Sequence, residues 1–111
     1  MQAGVLRHRV TISTLTETSD GKGSYGEAET PVAIREPAEV MPLSGRELER
    51  ARQIDPRLSL RVVLRHRRGV AVRQQVVYHD PRGGDRVLEI GSVMDPDERG
   101  VLLELLCKER V

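Results

Sequence analysis

The sequence predicts a mainly β fold: a small six-stranded antiparallel β-barrel or sandwich with one short α-helix inserted between strands. Three observations carry this reading. Six short runs place apolar residues at every second position, the period of a half-buried strand. Clusters of Gly, Pro, Asp and Asn-like turn formers separate those runs at close spacing, as in small all-β domains. One stretch, residues 44–55, departs from the period of two and carries a helix-start signal instead. A length of 111 residues fits a single domain over residues 1–111, with room for one core.

The clearest pair is the last one. In RVLEIGSVMDPDERGVLLELLCKE, residues 86–109, two apolar runs flank a polar turn. Val101, Leu103, Leu105 and Cys107 share one face of the second run, and Leu102, Glu104, Leu106 and Lys108 share the other. In the turn, Pro96 presets φ, the Asp side chains can bond nearby backbone, and Gly100 tolerates a left-handed conformation. Upstream, Leu6, His8, Val10, Ile12 and Thr14 alternate with Arg7, Arg9, Thr11 and Ser13, giving a strand with a dry face and a basic, wet face. Residues 16–30, TETSDGKGSYGEAET, lack periodicity and read as a long mobile loop. Such loops are often functional; a solvated hairpin tip is the alternative. Residues 31–41 alternate again, with Val32, Ile34, Ala38 and Val40 on one side. Pro37 lacks a ladder donor, so this strand lies at an edge or is broken near Glu36.

Ser44 followed by Glu47 forms a capping-box pattern. Leu48, Ala51 and Ile54 then repeat every three residues between Arg and Glu, and Pro56 stops the run. A helix over residues 45–54 follows; it either lids the barrel end or contacts another subunit. Leu58, Leu60, Val62 and Leu64 define a third strand, residues 74–78 a fourth, with basic and Gly-rich turns between them.

Composition narrows the function. The chain has two Tyr, no Phe and no Trp, so aliphatics must fill the core. Its 18 basic and 17 acidic residues leave a net charge of +1, which favours neither nucleic acid nor an acidic membrane overall. All but Lys22 and Lys108 of the basic residues are Arg, suited to bidentate pairing across interfaces but equally a mark of an Arg-rich genome. A single Cys excludes an internal disulfide, and no apolar run is long enough to cross a bilayer. With no apolar signal at its start, the protein is expected to be soluble and made in the cytosol.

Candidates for chemistry are sparse. His8, His66 and His79 are dispersed, and His8 on the inward face reads as a satisfied core histidine. No Cys–His spacing matches zinc, and Asp95, Asp97 and Glu98 lack the calcium-loop pattern. Cys107 reads as a small core residue. Gly21, Gly23 and Gly26 neither follow an apolar strand nor open a helix, so they are no phosphate loop. The reading is therefore of a protein that is not an enzyme and needs no cofactor or metal. Arg61, Arg65, Arg67, Arg68 and Arg73 could meet phosphates, but no exposed aromatics interleave to stack bases, which favours a solvated face or a protein interface. Two rivals remain. A stand-alone, OB-like nucleic-acid-binding barrel would bind in a salt-sensitive way. A small hydrolase would need a pocket joining His79 or His66 to a carboxylate.

Four segments carry a resemblance: Ala3-Gly4-x-Leu6-Arg7-His8-Arg9-Val10-Thr11-Ile12, Ala38-Glu39-Val40-x-Pro42-Leu43-Ser44-Gly45-Arg46-Glu47, Arg61-Val62 leading to Arg65, and Leu88-Glu89-Ile90 through Val93-x-Asp95-Pro96-Asp97-Glu98-Arg99. In order and spacing the chain resembles the phage head–tail joining proteins, the head-closure or stopper group. The family places an aromatic near residues 27–30, where this chain offers only Tyr25 nearby. The resemblance implies a six-stranded barrel with one helix, assembled into a ring, commonly a dodecamer. The ring would sit between the portal or head–tail adaptor protein and the tail terminator or tail completion protein, with packaged DNA passing through it. It would be a virion component of a phage, a prophage-derived particle or a gene transfer agent, and no membrane is implied. The surfaces expected to make such contacts are the basic first strand (Arg7, Arg9), Tyr25, the helix with its cap (Ser44, Arg46, Glu47, Glu49, Arg50) and the third strand (Arg61, Arg65).

Overall fold

A computed structural model of the chain describes residues 6–19, 25–95 and 100–110. Six strands and one helix follow in the order β1 (His8–Ser19), β2 (Tyr25–Pro42), α1 (Gly45–Ile54), β3 (Leu60–Arg65), β4 (Gln75–Asp80), β5 (Gly84–Met94) and β6 (Leu102–Glu109). Every pairing is antiparallel, and the sheet closes on itself in the order β1-β2-β3-β6-β5-β4. Closure leaves no open ladder edge within the barrel. Pro37 is accordingly not on an edge strand. It pairs with Arg9, and the ladder is irregular next to it, between Val10 and Ile12, so the missing donor falls at a break in register.

Period-two patterning builds the interior. Val10, Ile12, Ala33, Ala38, Val40, Leu60, Val62, Leu64, Val76, Tyr78, Leu88, Ile90, Leu103, Leu105 and Cys107 form one buried cluster. Tyr78 is its single aromatic, so aliphatic packing carries the core as composition demands. Burial pushes the Cys107 thiol up to about 12, which keeps it protonated and unreactive. His8 is half-buried and accepts a hydrogen bond: the Val40 amide donates to its Nδ1 at 3.0 Å, and its ring meets Tyr78 edge-on at 5.2 Å.

A second, smaller cluster lies on the outside of the wall. Leu43, Ala51, Leu58 and Leu106, with Leu48, seal α1 against β6. The outward side of β6 is thus dry where the helix covers it. Lys108 fastens the far end of the helix by pairing with Asp55 (2.6 Å) and Glu89 (3.2 Å). That Lys108 bond, then the Arg57 amide, hold the Asp55 carboxyl down at about 2.

Three expectations need correction. Residues 16–19 and 25–30 are not a mobile loop but the outer part of a long β1–β2 hairpin. Their ladder runs from Thr14↔Thr30 to Ser19↔Tyr25. Past Ser13 on β1 and before Ala38 on β2, neither strand gains a second neighbour. Both faces of this ribbon meet solvent, so no hydrophobic alternation marks it. The tip, residues 20–24, lies outside the described residues, as does the turn at 96–99. Next to that turn, Gly100 has φ +67° and its amide donates to Asp95, the turn chemistry anticipated. Second, Ile34 does not share a face with Val32, Ala38 and Val40: it is 68 % exposed while Ala33 is buried, because β2 carries extra residues opposite β1. Third, Ser44 occupies the N-cap position with extended backbone but makes no side-chain cap hydrogen bond. Glu47 reaches instead to Arg61 at 2.5 Å.

Candidate interaction site

Two features stand out on the surface, and the barrel's closure fixes their relation. The first is a hollow of about 340 Å³ between α1 and the outer faces of β5 and β6. Leu43, Ala51 and Leu106 form its apolar floor; Ile54 and Met94 stand at its sides; Glu47, Arg50 and Glu104 rim it. Helical spacing explains the wall, since 47, 50, 51 and 54 lie on one side of a helix. Met94 and Glu104 are register partners across β5 and β6. Ile54, which continues the three-residue repeat of Leu48 and Ala51, is 61 % exposed, because α1 seats only Leu48 and Ala51 against the wall.

The second feature is a bulge in β2. Ile12 pairs with Ala33 and Val10 with Glu36, so Ile34 and Arg35 together face Thr11. Arg35 has φ +48°, a left-handed conformation that costs a non-glycine residue about 1–2 kcal/mol. Polar contacts hold it there. The Arg35 amide donates to Thr11 Oγ1 at 3.1 Å, Thr11 Oγ1 and His79 Nε2 lie 2.8 Å apart, and His79 Nδ1 is 3.2 Å from Asp85 Oδ1. This hydroxyl–imidazole–carboxylate chain brings His79 to a carboxylate, the condition set for a hydrolase. Four hollows among the described residues are lined by other side chains, and the Thr11 oxygen already accepts a backbone amide. Its evident work is to clamp the bulge.

The residues singled out from sequence are distributed over several surfaces. Arg7 borders a smaller hollow of about 280 Å³ with His8, Glu39 and Met41, and Arg9 is exposed on β1. Tyr25 opens β2, and its side chain lies outside the described residues. Ser44, Arg46, Glu47, Glu49 and Arg50 are exposed on or beside α1. Arg65 is exposed at the end of β3. Glu47 and Arg61 are joined by their ion pair, and Glu47 and Arg50 both line the hollow beside α1. In the basic stretch, Arg61 is paired with Glu47 and Arg67 with Glu36, so two of its five guanidiniums are neutralised. Among the described residues no group of three or more His, Cys, Asp or Glu side chains could hold a metal ion. Sequence reasoning missed Ile34, Met94 and Glu104. The Gly-free bulge left no signal, and Met94 was legible only as a member of the apolar run before the last turn.

The described residues thus form a small closed barrel with one external helix. Residues 1–110 match the family model of the phage head completion protein, and the chain belongs to that family. It is a phage head protein with a structural role. Its fold is similar to the solution structure of protein SF1141 from Shigella flexneri 2a, with a TM-score of 0.73 and 28 % identity, covering 98 % of this chain and 96 % of that one. No curated protein matches the sequence.

Proposed function

We propose that this chain forms a ring at the neck of a phage or prophage-derived particle, closing the DNA-filled head and giving the tail its attachment surface. It acts by binding, without a reaction of its own. Packaged DNA passes through the ring, the portal or an adaptor protein lies on one side, and a tail terminator or completion protein lies on the other.

The observation that carries this reading is the β1–β2 ribbon. Beyond Thr14 and Thr30 its strands pair only with each other, and its described side chains from Thr16 onward are exposed. An isolated two-stranded ribbon is marginally stable in water, so it gains most when docked on another chain. The molecule is elongated, 49 Å along its long axis against 32 and 28 Å for the others, a shape suited to spanning subunits. The charged face of α1 is the second contact proposed: Arg46, Glu47, Glu49 and Arg50 pair with a neighbouring subunit or the adaptor. Glu47 also holds Arg61 within the chain, so Arg50→Glu is the cleaner variant.

The test is particle production without this protein. The proposal expects heads that package DNA and lose it, free tails alongside, and restoration by the wild-type chain in trans. Complete, infectious particles made in its absence would refute it.

A further inference from the structure

We infer that the hollow beside α1 receives the Ile34–Arg35 bulge of a second copy of this chain, joining copies head to tail. The inference rests on the ring reading above and names the residues that make the contact.

Topology supplies the first argument. In the closed order β1-β2-β3-β6-β5-β4, β2 lies two strands from β6 and three from β5, the strands that line the hollow with α1, so bulge and hollow are different patches of the surface. A contact between two different patches propagates from copy to copy and closes into a ring when the rotation permits. Shape supplies the second. Ile34 is an exposed branched apolar side chain on a projecting bulge, and the hollow has an apolar floor and apolar sides at Ile54 and Met94.

Charge and shape together decide between a second copy in this arrangement and one related by a twofold axis. Among the described residues, Glu104 and Arg50 at the rim have no ion-pair partner, and neither have Arg35 beside the knob and Arg9 on the adjoining strand. Bulge into hollow places Arg35 on the Glu104 side of the rim. Bulge on bulge would set Arg35 against Arg35, a like-charge contact that disfavours the arrangement, and hollow on hollow would join two concave faces with no side chain to fill either. The Thr11–His79–Asp85 chain then has a purpose: it holds an arginine in a backbone conformation that suits glycine, where the partner needs its side chain.

Cysteine cross-linking tests this in assembled particles, with the buried native Cys107 as silent background. A chain carrying both Ile34→Cys and Met94→Cys should give a ladder of covalent oligomers under mild oxidation. Mixing the two single variants should give dimers only, and each single variant alone should give none. Self-linking of a single variant, or a ladder no stronger than that of a Val72→Cys/Met94→Cys control, overturns the inference while a ring seen in the neck keeps the ring reading. A neck without a ring overturns both. Charge reversal gives an independent arm: Arg35→Glu should lower the yield of tailed particles about tenfold or more, and Glu104→Arg in the same chain should restore it. Finally, Arg35→Gly should fold at least as well as wild type yet assemble poorly. Arg73→Gly, at the second left-handed non-glycine position among the described residues (φ +73°), should assemble normally. Normal assembly of Arg35→Gly would overturn the inference.

Discussion

Gly91 sits where β5 passes beneath the loop that follows α1, and a single methyl group there has a calculable consequence. A Cβ added at this position would lie 2.7 Å from Leu58 Cδ2, 3.5 Å from Leu58 Cγ and 3.6 Å from the Leu106 carbonyl oxygen. Leu58 cannot swing aside freely: it is fully buried among Leu43, Ala51 and Leu106, the layer that fastens the helix. Gly91→Ala therefore overpacks this layer, at a cost of about 1–3 kcal/mol. For a domain near 100 residues each kcal/mol lowers Tm by roughly 4–8 °C, so a fall of about 8–16 °C corresponds to the middle of that range. Leu58→Ala alone opens a cavity and should cost about 2–5 kcal/mol. The double variant should cost less than the sum by about 1 kcal/mol or more, because each change relieves the other. Urea unfolding of the four proteins closes the cycle. A Gly91→Ala protein melting within 1 °C of wild type (under about 0.3 kcal/mol by the same conversion), or strict additivity in the double variant, would refute this picture of the helix seat.

Three further outcomes follow from the same contacts. Gln74 ties the loop before β4 together, its Oε1 accepting from the Ala71 amide and its Nε2 donating to Thr14 Oγ1 and the Gly69 carbonyl. Gln74→Leu should lower stability by about 1–3 kcal/mol and speed amide exchange at Ala71, and unchanged exchange would contradict that role. Thr11→Val removes the acceptor of the Arg35 amide, so Arg35 exchange should accelerate and stability fall by about 1 kcal/mol, read by hydrogen exchange and urea unfolding. Asp55 is depressed to about 2 from 3.8, so its contribution is fully present above pH 3.8 and is lost as pH falls towards 2. Stability of wild type should therefore drop more steeply than that of Asp55→Asn across this window, and parallel acid profiles would contradict the Lys108–Asp55 pairing.

Much of the fold was legible because burial on one side imposes a period of two. β3 and β6 show it directly: Leu60, Val62 and Leu64 face Leu103, Leu105 and Cys107 inside the barrel. The helix was legible from Leu48 and Ala51 and from the proline that follows. What the pattern could not reveal lies where one-sided burial fails. The β1–β2 ribbon is wet on both faces, so its strands looked like loop. At the bulge, extra residues in β2 reverse the faces, turning Ile34 outward while Ala33 packs inside. Ser44 and Glu47 matched a capping box in spacing, yet Glu47 faces a long-range partner, Arg61, that local sequence cannot disclose. The same limit applies to the surfaces. The charged residues of α1 were visible as charges, whereas the hollow exists only because Met94 and Glu104, over forty positions away, are folded beside the helix.

We propose that this chain acts as a structural part of the particle, through contact surfaces alone. Cryo-electron microscopy of the neck of purified particles tests that most directly. The expected result is a ring of these barrels between head and tail, with density for the β1–β2 ribbon lying on a neighbouring chain. Particles whose neck is complete and contains no copy of the barrel would contradict it.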